Sequence, residues 1–118
     1  MMMALMEEGA KKITPIKSGI MTADGSEQTL IEYVGIGVIS GKINLREMEE
    51  GDTVVIRQYV KLRHDGDYNS IEEETYVGVQ KNPVVYIIPT VVEVAMKVTI
   101  QQTTGSFKNF EYIFVRER

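Results

Sequence analysis

Two clusters of carboxylates are the first residues of this chain whose types and spacing could do chemistry. Glu72-Glu73-Glu74 is one; Glu47, Glu49 and Glu50 form the other. A pair of carboxylates hydrolyses glycosides when the two groups flank a sugar about 5–9.5 Å apart, one as acid and the other as nucleophile or base. Nothing in the sequence brings the two clusters together. Three consecutive glutamates in a strand also expose at least two of their number to the same side or to solvent. The expectation is therefore a solvated strand whose charge discourages edge-to-edge pairing.

Asp65-Gly66-Asp67-Tyr68-Asn69 offers oxygen atoms at alternate positions, as the start of a calcium loop does. The pattern then fails, with Ser70 at the sixth position and Tyr76 at the twelfth, where glycine and a bidentate glutamate are needed. Asp65, Asp67 and Asn69 are a calcium candidate, but Asp-Gly and Asn also sit at hairpin tips for backbone reasons alone. His64 is the one histidine and there is no cysteine, so two-imidazole sites, thiolate metal sites and thiol nucleophiles are excluded. Ser26, Ser40, Ser70 and Ser106 show no nucleophile-elbow signature. Gly35-x-Gly37-x-x-x-Gly41 lacks the spacing and the following helix of a phosphate cradle. No catalytic set and no cofactor site emerge, and the expectation is a protein that is not an enzyme.

The tyrosines point instead to binding. Tyr59 and Tyr76 fall on the polar sides of strands flanking one hairpin, so the alternation predicts that they are exposed together. With Arg57, Lys61 and Arg63 they make the candidate partner-binding face: Arg57, Tyr59, Lys61, Arg63 and Tyr76. A sugar could stack there, although there is no tryptophan. Cross-strand tyrosines also pair simply to stabilise a sheet.

Period-two alternation supplies the elements that must position these residues. It predicts strands from Ile13 to the Ala23-Asp24-Gly25-Ser26 turn, over Thr29–Ile36, over Val38–Leu45 and over Thr53–Arg63. Further strands are predicted from Tyr68 to Gln80, over the apolar run Val84–Ile88, over Val91–Gln102 and around Phe110–Phe114. Val84–Ile88 reads as a buried strand ended by Pro89, and Met48 reads as tucked inward. Asp24-Gly25, Asp65-Gly66 and Thr104-Gly105-Ser106 read as hairpin turns. About eight strands without a convincing long helix predict an all-β, antiparallel β-sandwich, jelly-roll-like, in one domain over 13–118. Residues 1–12 read as a short Met-rich arm, frayed or docked on a partner.

The chain has 118 residues, 43% of them hydrophobic and 25% charged, with a net charge of −4. That is enough for one core without a disulfide or metal. The basic residues are scattered among acids, so no nucleic-acid partner is expected, and net acidity argues against an anionic membrane surface. No run approaches the roughly 20 apolar residues of a membrane span. The first six residues are apolar and acids follow, so no secretory signal is expected.

Ile43-x-Leu45 followed by Gly51-Asp52-Thr53-Val54-x-Ile56-Arg57 resembles a recurring jelly-roll phrase. In it a strand, a connector with a buried apolar residue and a Gly-Asp-Thr-Val start precede a long strand. Carbohydrate-binding modules are among the proteins that carry it. Thr22–Thr29 and Val98–Thr103 are similar to small uncharacterised β-rich proteins of archaeal, viral and environmental origin. That resemblance implies a non-enzymatic subunit of a homo-oligomeric assembly, located in a virion or other extracellular assembly, or otherwise in the cytoplasm. The alternative it leaves is a carbohydrate-binding module.

Overall fold

The computed structural model describes residues 12–117. The Met-rich arm expected over residues 1–12 therefore lies almost wholly outside the described residues. Eight strands follow in order: β1 (Ile13–Thr22), β2 (Gln28–Val34), β3 (Gly37–Asn44), β4 (Thr53–Lys61), β5 (Asn69–Val77), β6 (Val84–Val92), β7 (Ala95–Thr104) and β8 (Asn109–Glu117). Among the described residues there is no helix, and so none long and apolar enough to cross a membrane.

The pairing shows how the sandwich is built. β1 pairs with β8, β2 with β7, β3 with β6 and β4 with β5, all antiparallel. The first strand thus meets the last and the pairs step inward, so the chain is one long ribbon doubled back at the β4–β5 hairpin. Rolling the ribbon adds the β3–β8 and β4–β7 pairings. Two four-stranded sheets result, ordered β1-β8-β3-β6 and β2-β7-β4-β5. This is an eight-stranded jelly-roll sandwich, as the strand pattern predicts.

The inner faces carry the core. Ile39, Ile43, Phe110 and Phe114 from one sheet meet Leu30, Val54, Ile56, Met96, Val98 and Ile100 from the other, all buried. Each such side chain contributes on the order of 1.5–3 kcal/mol through removal from water. Leu45 and Met48 of the β3–β4 connector close one end and are buried too. Gly41 in β3 is dictated by packing: a Cβ there would lie 2.3 Å from the Phe114 ring and 2.8 Å from the Ile113 carbonyl oxygen.

Three expectations need correction. Of the three hairpin signals only Asp65-Gly66 marks a hairpin. Asp24-Gly25 and Thr104-Gly105-Ser106 carry the chain from one sheet to the other, because β1 and β2, and likewise β7 and β8, belong to different sheets. The two crossings pack side by side: Ala23 N–H donates to the Lys108 carbonyl at 3.0 Å, and Phe107 stands over Gly25. Second, Pro89 does not end β6. The strand runs on to Val92 through an irregularity opposite Ile39–Gly41, where a missing N–H is tolerated because β6 is a sheet edge. Its unbroken apolar run is therefore not the mark of a buried strand. Third, Leu30 and Ile31 do not face opposite ways. A register shift between Thr29 and Ile31 leaves both buried.

A polar knot ties the end of the sandwich where these crossings meet. Asp52, only 2% exposed, accepts the Glu49 N–H at 2.8 Å and faces the Lys108 ammonium at 2.9 Å. Lys108 Nζ also donates to the Ser106 carbonyl and hydroxyl, each at 2.8 Å. Gln102, buried as well, accepts the Lys108 N–H and donates to the Thr104 and Ser106 carbonyls. Burial pushes the Asp52 carboxyl up, but the Glu49 N–H and the Lys108 ammonium outweigh it and hold the group below its ordinary value.

Gly41→Ala is expected to cost about 1–3 kcal/mol by overpacking, lowering the midpoint of thermal unfolding by on the order of 10 °C. Gly51→Ala meets no neighbouring atoms, but its φ of +94° costs an alanine on the order of 1–2 kcal/mol. A circular dichroism melt of Gly41→Ala checks the packing account, and a melting point equal to that of the parent would contradict it.

Candidate functional site

The outer face of the β2-β7-β4-β5 sheet is polar and ordered. Arg57, Tyr59 and Lys61 project from β4 on this side, as the alternation predicts. Arg57 Nε donates to Glu73 Oε1 at 2.8 Å, and its Nη1 donates to Gln101 Oε1 at 3.0 Å and lies 3.5 Å from Glu27 Oε1. Glu27 collects hydroxyls: Tyr59 donates to its Oε2 at 2.5 Å and Thr99 at 2.6 Å. Burial pushes the Glu27 carboxyl up, and the Thr99 and Tyr59 hydroxyls with the Arg57 charge bring it below its ordinary value. The same hydrogen bond raises the Tyr59 phenol.

Beside this network a second tyrosine closes a depression of about 280 Å³ lined by Glu27, Thr29, Tyr59, Tyr68, Lys97 and Thr99. Lys97 Nζ lies 5.1 Å from the Tyr59 ring centroid and 4.8 Å from that of Tyr68, within range of a cation–π contact. Lys61 Nζ stands 5.1 Å from the Tyr68 ring. Tyr68 donates to Glu32 Oε2 at 2.7 Å, and its phenol is pushed up to about 12, by burial first and by that carboxylate second. The sequence pattern places Tyr68 at the start of a strand and does not count it here. Its separation from Lys97 by the whole of β5 and β6 leaves no local signal.

The expected pairing of Tyr59 with Tyr76 is wrong. Tyr76 sits opposite Val54 in the register, on the inner side of β5, and packs against the core. Arg63 lies beyond the end of β4, exposed, 3.8 Å from Asp65 Oδ1. In the calcium candidate, the Asn69 amide donates to the Asp67 carbonyl at 3.3 Å, which is hairpin-tip geometry. Among the described residues no group of three or more His, Cys, Asp or Glu is placed to hold a metal ion. His64 is exposed in the same loop.

Glu72 and Glu74 take up a position the charge run did not suggest. They face inward, opposite Gln58 and Ile56, and line a groove of about 250 Å³ between the free edges of β5 and β6. Tyr76 and the Val85–Ile88 run of β6, Tyr86 included, form its other walls, and Gln58 spans its floor, donating to Thr90 Oγ1 at 2.8 Å. Burial, then the Glu74 and Glu72 charges, raise the Tyr76 phenol. Glu73, on the outer side, is taken up by Arg57. Glu47 accepts the Asn109 N–H and Glu49 lies 3.1 Å from Lys108, so the second acidic cluster is part of the polar end of the sandwich.

The outer face of the other sheet is different in kind. Ile20 on β1, Ile113 on β8, and Val84, Tyr86, Ile88 and Val91 on β6 stand 39–67% exposed. Half-buried Val38 and Val115 lie between them in register. Lys42, Asn44, Glu111 and Glu117, with a few hydroxyl groups, are the polar interruptions, and the Asn44 amide donates to Glu111 Oε1 at 3.0 Å.

No protein-family model matches the chain, and no curated protein does. Among solved structures it is similar to the VP2 subviral particle of infectious bursal disease virus, at 11% identity and a TM-score of 0.47, over 92% of this chain and 33% of that one. It is also similar to T=1 particles derived from infectious bursal virus, at 12% identity and a TM-score of 0.45, over 92% and 32%. The chain thus spans about a third of the length of these structures. The jelly-roll assignment itself stands on the strand pairing described above.

Glu27→Gln is expected to cost up to about 1 kcal/mol at neutral pH, since the network is only partly shielded from solvent. A lowered carboxyl contributes stability above its ordinary value of 4.5 and loses it as pH falls through the folded value. The gap between parent and variant, measured by urea unfolding, should therefore narrow as pH is lowered from 4.5. A gap that widens as the pH falls would contradict the charge-based account.

Proposed function

We propose that this chain is a non-enzymatic structural subunit of a homo-oligomeric assembly, a virion coat, decoration or tail-associated protein. The observation that carries the assembly reading is the apolar outer face of the β1-β8-β3-β6 sheet. Monomeric proteins rarely leave contiguous apolar patches larger than a few hundred Å² open to water, and here apolar side chains from all four strands share one surface. The other outer face supplies the contrast. Its charges are matched to one another, as suits a surface that meets solvent. The virion placing is supported by the resemblance of Thr22–Thr29 and Val98–Thr103 to small viral and archaeal β-rich proteins. A partner role for the Arg57, Tyr59 and Lys61 face belongs to the same reading, at a second contact.

One observation favours a second reading. Tyr59 and Tyr68 bracket Lys97 in an open depression, which is how a site stacks a sugar ring and adds a charged contact. A carbohydrate-binding module would bind there. Glycan-array binding that disappears in Tyr68→Ala and survives chelation of calcium would support that module.

Light scattering coupled to size exclusion tests the first reading. The parent chain is expected to form oligomers at tens of micromolar, and Ile20→Lys/Ile113→Lys to shift it to monomer. Stability should move by no more than about 0.5 kcal/mol, since both sites are on the surface. A parent chain that stays monomeric at millimolar concentration would sink the proposal.

A further inference from the structure

The sandwich has four free strand edges, and they are not protected alike. A free edge is a row of unpaired backbone donors and acceptors, and charges or prolines along it oppose pairing with another chain. β1 carries Pro15 and Lys17, β2 carries Glu32, and β5 carries Glu72, Glu73 and Glu74. β6, from Val84 to Val92, carries no charged residue. Its outward side chains are open to water, Tyr86 at 53% and Ile88 at 65%. Its only interruption is Pro89, which lies past the middle of the strand.

We propose that the free edge of β6 is where a second copy of this chain joins, by antiparallel pairing of Val84–Ile88 about a two-fold axis through Tyr86. The inference rests on the assembly reading and adds to its face contact a second one, at the edge of the same sheet. A two-fold axis sets a strand against itself, so any charge on it meets its own kind. Pairing β5 this way would bring two rows of glutamates together, whereas in β6 Val84 meets Ile88 of the second copy and Tyr86 meets Tyr86. Aromatic and β-branched cross-strand pairs of this kind favour sheet formation. Val85 and Ile87, on the inner side, would continue the core into the second copy. Pro89 lacks an N–H and sets the limit of the pairing at Ile88. The β5 glutamates on the same flank keep the second sheet from joining, so the copies share one sheet only.

Five paired residues make a small contact beside the roughly 800 Å² per partner of a standard interface. The dimer is therefore transient in dilute solution, and trapping it is the direct test. The chain has no cysteine, so a single introduced thiol has no background. Directly opposite residues in antiparallel strands have Cα atoms about 4.5–5.5 Å apart, within disulfide reach. Under mild oxidation Tyr86→Cys should form covalent dimers at least tenfold faster than Glu73→Cys on the β5 edge or Glu32→Cys on the β2 edge. Val84→Cys/Ile88→Cys tests the same register with Tyr86 intact, and circular dichroism checks that each variant folds. Equal rates for β6 and control thiols would overturn the β6 contact. Were the parent chain still oligomeric by light scattering, the assembly reading would survive that result; were it monomeric, both would fall.

Discussion

A carboxylate almost without water around it, Asp52, is the constraint on which the closed end of this sandwich depends. A buried charge is tolerated only when its partners are held in place. Here they come from separate parts of the chain: the Glu49 N–H from the β3–β4 connector and the Lys108 ammonium from the β7–β8 crossing. Gly105 lies so close that a side chain there would displace the carboxylate. The Asp52 carbonyl in turn accepts the Gly78 N–H from the β5–β6 connection. Three inter-sheet crossings are thus referenced to one residue, and the stacking of the two sheets is fixed where they meet.

From that end the two sheets diverge in character. The outer surface of one is a closed electrostatic network in which Glu27, Arg57 and Glu73 satisfy each other. That of the other is largely aliphatic, with Asn44 and Glu111 paired among the apolar side chains. The same strand alternation produces both, and only the choice of outward residues differs. A sandwich needs its inner faces apolar; nothing in the fold requires the second apolar face. That excess is the physical content of the assembly reading.

Much of the fold was legible in the residues. Alternation placed all eight strands, and Met48, Phe110 and Phe114 point inward as their positions imply. Arg57, Tyr59 and Lys61 share the face the pattern gives them. What failed was everything that depends on which strands lie in which sheet. Asp-Gly signals a tight change of direction, and the same local geometry serves a hairpin or a crossing between layers. Tyr76 was misassigned because a polar neighbourhood of glutamates looks like solvent, whereas at a free edge Glu72 and Glu74 can point inward and still be wet. Pro89 looked like a terminator because a central strand would not accept it; an edge strand does. Asp52 read as a turn residue because Lys108, its partner, is far along the chain.

The ribbon pairing has a consequence for how the polypeptide could be rewired. Ile13 stands opposite Glu117 in adjacent strands, so the chain enters and leaves the described sandwich at neighbouring points. The loop between β4 and β5 is at the same end of the molecule, since Lys61 pairs with Ala95 and Ala95 with Val34. A short linker from Glu117 to Ile13, with a cut in the β4–β5 loop, would give a circular permutant that keeps every strand pair. The fold is in that sense indifferent to which end of the ribbon is covalently closed, and a sandwich of this kind can be spliced into a longer polypeptide through a single doorway.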